Sequence, residues 1–118
     1  MISYSDFVRL LHDVSECNSP EEYIAEVGGS VPLGDPCKII ELLGIMWEMA
    51  HDGLTIRSIA TACKTSMRQI GIKLGISRRT IGNWSEGVTS PPEWQLPLIA
   101  YAAVSDYRQD WCNCFEKD

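Results

Sequence analysis

Apolar residues recur every three or four positions through most of the chain, and no stretch sustains the strict alternation of a half-buried strand. From Ser5 to about Glu16, Phe7, Val8, Leu10, Leu11 and Val14 gather on one side, which predicts an amphipathic helix. Ser19-Pro20-Glu21-Glu22 predicts the start of a second helix. Ser19 supplies a cap, Pro20 suits the first helical position and Glu22 completes a capping box. Gly28-Gly29 ends that helix, and GGSVPLGDP reads as an extended loop. Asp35-Pro36 repeats the cap-then-proline start for a long helix, KIIELLGIMWEMAHDG, closed by Gly53. Its residues Ile39, Ile40, Leu42, Leu43, Ile45, Met46, Trp47 and Met49 surround much of the helix. Such a helix is either the centre of the fold or half of a partner interface, with the core as the first expectation.

From residue 54 the predicted elements become short. Thr55 begins a helix running to about Cys63. Ser66 caps the next, with Gln69 at the capping-box position and its end at Leu74 and Gly75. Ser77 caps a third, running to Glu86 and ending at Gly87. Ser90-Pro91-Pro92-Glu93 opens a fourth through WQLPLIAYAAVSDYRQDW, where Pro97 predicts a kink, or a first turn that ends before it, because it lacks a backbone donor.

Charge changes the picture. The 118 residues carry a formal −6, the wrong sign for a nucleic-acid ligand taken as a whole. Residues 1–53 hold ten acidic and two basic side chains, a net of −8. Residues 54–87 hold six basic ones (Arg57, Lys64, Arg68, Lys73, Arg78, Arg79) against Glu86 alone, a net of +5. Residues 88–118 return to −3. Because salt screens beyond about 8–10 Å, the local patch governs nucleic-acid binding more than the total.

Two helices joined by a turn at Gly75 form the helix-turn-helix pattern. Ile70, Gly71 and Leu74 share one face of the first helix, Ile76 is placed to plug the core, and Ile81 and Trp84 face inward from the second. Gly71 is expected to let the helices approach closely. Arg78, Arg79, Gly82, Asn83 and Glu86 then face outward. A helix of this size fits the major groove of B-DNA with its N-terminal residues nearest the bases. There arginine pairs with guanine and asparagine with adenine.

Residues 54–87, LTIRSIATACKTSMRQIGIKLGISRRTIGNWSEG, resemble the helix-turn-helix of the Cro/lambda-repressor (Xre-type) family, most strongly in LGISRRTIGNWSEG followed by PPEW. The resemblance covers about residues 54–105. It implies base-reading positions at Ser77, Arg78, Arg79 and Asn83, and phosphate or positioning contacts at Ser66, Met67, Arg68 and Thr80. Methionine at 67 departs from the glutamine often carried there, which hydrogen-bonds the DNA backbone. Related motifs carry alanine at the position of Gly71, so Gly71→Ala is expected to be tolerated.

Other chemistry is sparse. Five cysteines, with no CxxC and only His12 and His51 to join them, point to reduced, incidental thiols rather than disulfides or a zinc site. Cys63 and His51 lack a third orienting group, and no phosphate loop or dinucleotide fingerprint occurs. Neither enzyme activity nor a cofactor or metal is expected. Trp84 and Trp94 read as core residues, and His12 and His51 as surface ones. No apolar run approaches the roughly 20 residues of a membrane span, and MISYSDFVRLLHDVSEC lacks the pattern of a secretory signal, so a soluble, cytoplasmic protein is expected.

These readings give an all-α protein with an N-terminal helical subdomain (1–53) against a helix-turn-helix domain (54–118). The expected function is sequence-specific binding of double-stranded DNA as a small repressor. A homodimer is expected, paired through the apolar helix from Lys38 to Ala50 or through a C-terminal surface with Trp111 and Phe115. The alternative is a protein-interaction module, antitoxin-like or a nucleic-acid mimic, whose acidic flanks meet a basic partner.

Overall fold

Short-range capping sets most of the helix boundaries. In a computed structural model that describes residues 2–31 and 33–107, seven α-helices and one 3-10 turn occur, with no strand among those residues. The helix α1 (Tyr4–Val14) is followed by α2 (Pro20–Val27) and α3 (Pro36–Ala50). Then come α4 (Ile56–Ala62), α5 (Met67–Leu74), α6 (Arg78–Glu86) and α7 (Gln95–Tyr107). The side chains of Ser19, Asp35, Thr55, Ser66 and Ser77 each accept a hydrogen bond from a backbone N–H of the following turn, at the helix starts expected. Gly75 (φ +70°) and Gly87 (φ +77°) end α5 and α6 in the left-handed region, where a Cβ is costly.

Four local expectations are corrected. The first helix begins before Ser5, because Ser3 Oγ accepts from the Asp6 N–H at 3.2 Å and caps it. Glu22 does reach back, but its Oε2 accepts from the Asn18 N–H (3.1 Å) rather than from Ser19. The stretch read as extended starts with a 3-10 turn, Gly28–Ser30, closed by the Val31 N–H on Gly28 O. The last helix, expected to open at Ser90–Glu93, comes later, after a turn at Glu93 and Trp94, and runs on through Pro97. That helix starts only at Gln95, so Pro97 sits in its first turn, where the missing N–H had no intrahelical acceptor.

One apolar core runs from Ile2 to Val104. Helix α1 contributes Phe7, Leu10, Leu11 and Val14, and α3 contributes Leu42, Leu43, Ile45, Met46 and Met49. Helix α3 packs against α1, α2 and α4, so most of its wide apolar surface lies inside the fold. Ile40, 52% exposed, is the one large apolar side chain that α3 leaves in solvent. The pairing surface expected on this helix is therefore largely occupied within one chain, and Trp111 and Phe115 lie outside the described residues. Burying each large aliphatic side chain contributes roughly 1.5–3 kcal/mol, and this region holds most of them.

Hydroxyls tie the ends to that core. The buried Tyr23 Oη donates to Leu10 O (2.7 Å), joining α2 to α1. Tyr101 Oη donates to Ile2 O (2.6 Å), joining α7 to the start of the chain, and its ring meets Tyr4 and Phe7 edge-on. No helix among the described residues is long and apolar enough to cross a membrane.

Candidate nucleic-acid interface

Helices α5 and α6 are joined by only Gly75, Ile76 and Ser77, and they pack on one another through very few buried side chains. Ile70 and Gly71 are buried on α5, and Ile81 on α6. Gly71 is the point of closest approach. A Cβ built there would stand 2.6 Å from Ile81 Cγ1 and 3.2 Å from Ile81 Cδ1. Close approach was expected, but tolerance of alanine is corrected by this geometry, because Cγ1 of a β-branched side chain cannot swing aside freely. Leu74, expected to share the buried face, is 38% exposed, and Ile76 is half-buried. Trp84 packs half-buried against the core, whereas Trp94, also expected inside, is 69% exposed just before α7.

The predicted site residues divide into two groups. Ser66 and Ser77 are helix caps: Ser66 Oγ accepts from the Gln69 N–H at 3.1 Å, and Ser77 Oγ accepts from the Thr80 N–H at 3.2 Å. Ser77 also donates its proton to Thr80 Oγ1 at 2.9 Å, so both hydroxyls are engaged with each other. Arg68, Arg78 and Arg79 are exposed and form no ion pair or side-chain hydrogen bond with any described residue. The half-buried amide of Asn83 likewise lacks a partner among the described residues.

Arg68, on the first turn of α5, and Arg78, at the start of α6, flank one shallow groove of about 350 Å³. Met67, Gly71, Ile72 and Gly82 line the same groove. The first turns of both helices also present backbone N–H groups and the positive ends of the helix dipoles, which favour anions. Two guanidiniums therefore stand beside two helix N-termini on this groove, an arrangement whose charge suits an anion.

Arg57, counted in the basic island, is used differently. Its Nη2 donates to Ser85 O at 2.9 Å, linking α4 to the last turn of α6. This bond was not legible in the sequence, since the partners are 28 residues apart.

The thiols follow burial. Cys63 is buried, and desolvation, with a smaller effect from the Glu48 carboxylate, pushes its thiol up to about 12. Cys17, Cys37 and Cys63 are free thiols, and Cys112 and Cys114 lie outside the described residues. His51 is exposed, stacks on Trp47 at 5.4 Å and pairs with Asp52 at 3.0 Å. No cluster of three or more metal-ligating side chains occurs among the described residues.

Set against family models, curated proteins and solved structures, the chain matches none of them.

Proposed function

We propose that this chain binds duplex DNA through the α5–α6 surface, with α6 in the major groove, and acts as a small transcriptional repressor of the Cro/lambda-repressor (Xre-type) helix-turn-helix kind. One observation carries the reading. In a protein of net charge −6, Arg68, Arg78 and Arg79 stand exposed at the first turns of α5 and α6 without a carboxylate partner among the described residues. In this mechanism Arg78, Arg79 and Asn83 read base edges, Arg68 meets phosphate, and Ser66, Ser77 and Thr80 fix the two helix starts. Repression follows from occupying the site that polymerase needs.

The test is selection from random duplexes at two salt concentrations. A selected sequence whose affinity falls steeply with salt supports the reading. Arg78→Ala should then cost about 1–3 kcal/mol and relax preference at one base position. Lys64→Ala should weaken all sequences alike. Equal, sequence-blind losses from Arg78→Ala and Arg79→Ala would reject base reading.

A two-fold pair on an inverted repeat belongs to this proposal, because one short helix offers few base contacts and paired helices reach half-sites about 34 Å apart. Exposed Val88, Trp94 and Leu98, clustered in sequence beside α6, support a pairing surface near the start of α7. A strict monomer in sedimentation, free and on DNA, would remove it.

The second reading is a protein-interaction module. The exposed carboxylates Glu16, Glu21, Glu26 and Glu48 around α1–α3 favour it, since they suit a basic protein partner. No duplex binding at low salt, together with capture of a basic protein, would select it.

A further inference from the structure

The last carbonyls of an α-helix have no partner within the helix, and those of α6 are satisfied by different means. Asn83 O accepts from the Val88 N–H at 2.9 Å and Trp84 O from the Gly87 N–H at 3.3 Å, both through the left-handed turn at Gly87. Ser85 O accepts from Arg57, on α4. Arg57 thus brings a positive charge to the negative end of the α6 dipole and a hydrogen bond to a carbonyl otherwise left to water. It acts at the far end of α6 from Arg78 and Arg79, which have no internal partners among the described residues.

Few other contacts fix the orientation of α6. Ile81 is its one buried side chain and Trp84 packs half-buried against the core, so a helix this sparsely anchored beside a short linker can pivot. A bond from α4, which is rooted in the core through Ile56, Ile59, Ala60 and Ala62, opposes such a pivot. We infer that Arg57 is a positioning residue that sets the angle of α6 against α4, and that it does not neutralise DNA phosphate. The inference rests on the DNA-binding reading above. It removes Arg57 from the cations facing DNA and gives it a role in discrimination between sequences.

Phosphate contact and positioning differ in their salt dependence. A cation that neutralises one phosphate contributes about 0.9 to the slope of log affinity against log salt, whereas a residue acting through α6 contributes nothing to it. The experiment compares full-length protein with Arg57→Met, which keeps the aliphatic stem, and Arg57→Lys, which keeps a donor for Ser85 O. Each is titrated with its selected duplex and a scrambled duplex over a salt series, at a temperature where circular dichroism shows it folded. Amide exchange is followed at the last turn of α6. Arg57→Met is expected to lower the selected-to-scrambled affinity ratio about tenfold with an unchanged salt slope and faster exchange in that turn. Arg57→Lys is expected to restore most of the ratio. A slope reduced by about 0.9 with the ratio intact would overturn the inference and make Arg57 a phosphate contact. An unchanged ratio and slope would overturn it too, while leaving DNA binding standing. Absence of duplex binding by the unmodified protein would overturn the DNA reading and this inference together.

Discussion

The first three helices and the α5–α6 pair are built on different physics. Helices α1 and α3 bury nine apolar side chains between them, and residues 1–53 hold ten of the chain's 16 carboxylates. Helices α5 and α6 bury Ile70, Gly71 and Ile81, and are defined mainly by serine caps, left-handed glycines and one close backbone approach. A region held by bulk apolar burial tolerates change at its surface and suffers from cavities. A region held by caps and close approach has side chains to spare for solvent, and is sensitive at small residues. The exposed Arg68, Arg78 and Arg79, which have no ion-pair partner among the described residues, lie in the second region, where few side chains are committed to the core.

That contrast can be broken at its strongest point first. Leu43→Ala, in the fully buried face of α3, should destabilise by about 2–5 kcal/mol in chemical denaturation, because the cavity adds to the lost transfer energy. A loss below about 1 kcal/mol would mean that α3 is not the centre of the core.

Next comes Gly71→Ala, where a single added methyl meets Ile81. It should cost about 1–3 kcal/mol in thermal or denaturant unfolding, against the general gain of alanine over glycine in a helix. Stabilisation would show that α5 and α6 are packed less closely than described. Gly71→Ala combined with Ile81→Ala sharpens the point, since removing Cγ1 should make the two losses less than additive.

Ser77→Ala removes the cap of α6 and should cost about 1 kcal/mol. Ser77→Gly should cost only a few tenths, which separates loss of the cap from a general intolerance at this position.

The smallest effect is expected at Trp94→Ser. This side chain is 69% exposed, so stability should change by less than about 0.5 kcal/mol. A large loss in dilute solution would place Trp94 in a contact with a second molecule, which sedimentation of the same variant would register.

What the sequence by itself determined are the features set within one helical turn. Ser19, Asp35, Thr55, Ser66 and Ser77 were legible as caps because a cap is a hydrogen bond between a side chain and a backbone N–H two or three residues on. Gly75 and Gly87 were legible because only a residue without Cβ readily takes the left-handed turn that ends a helix. The separation of charge along the chain was equally plain, and with it the basic stretch that holds Arg68, Arg78 and Arg79. The tertiary structure decided whatever depends on distant neighbours. Apolar character put Trp84 and Trp94 in one class, but α7 begins after Trp94 and leaves it outside the core. The breadth of apolar surface on α3 could not say whether it served a core or a partner until α1, α2 and α4 were seen to cover it. Arg57 counted only as one more cation of the island until it was found on Ser85 O. Local hydrogen bonds are written in neighbouring residues, while burial and long-range contacts depend on which segments meet, and that is fixed only when the whole chain has packed.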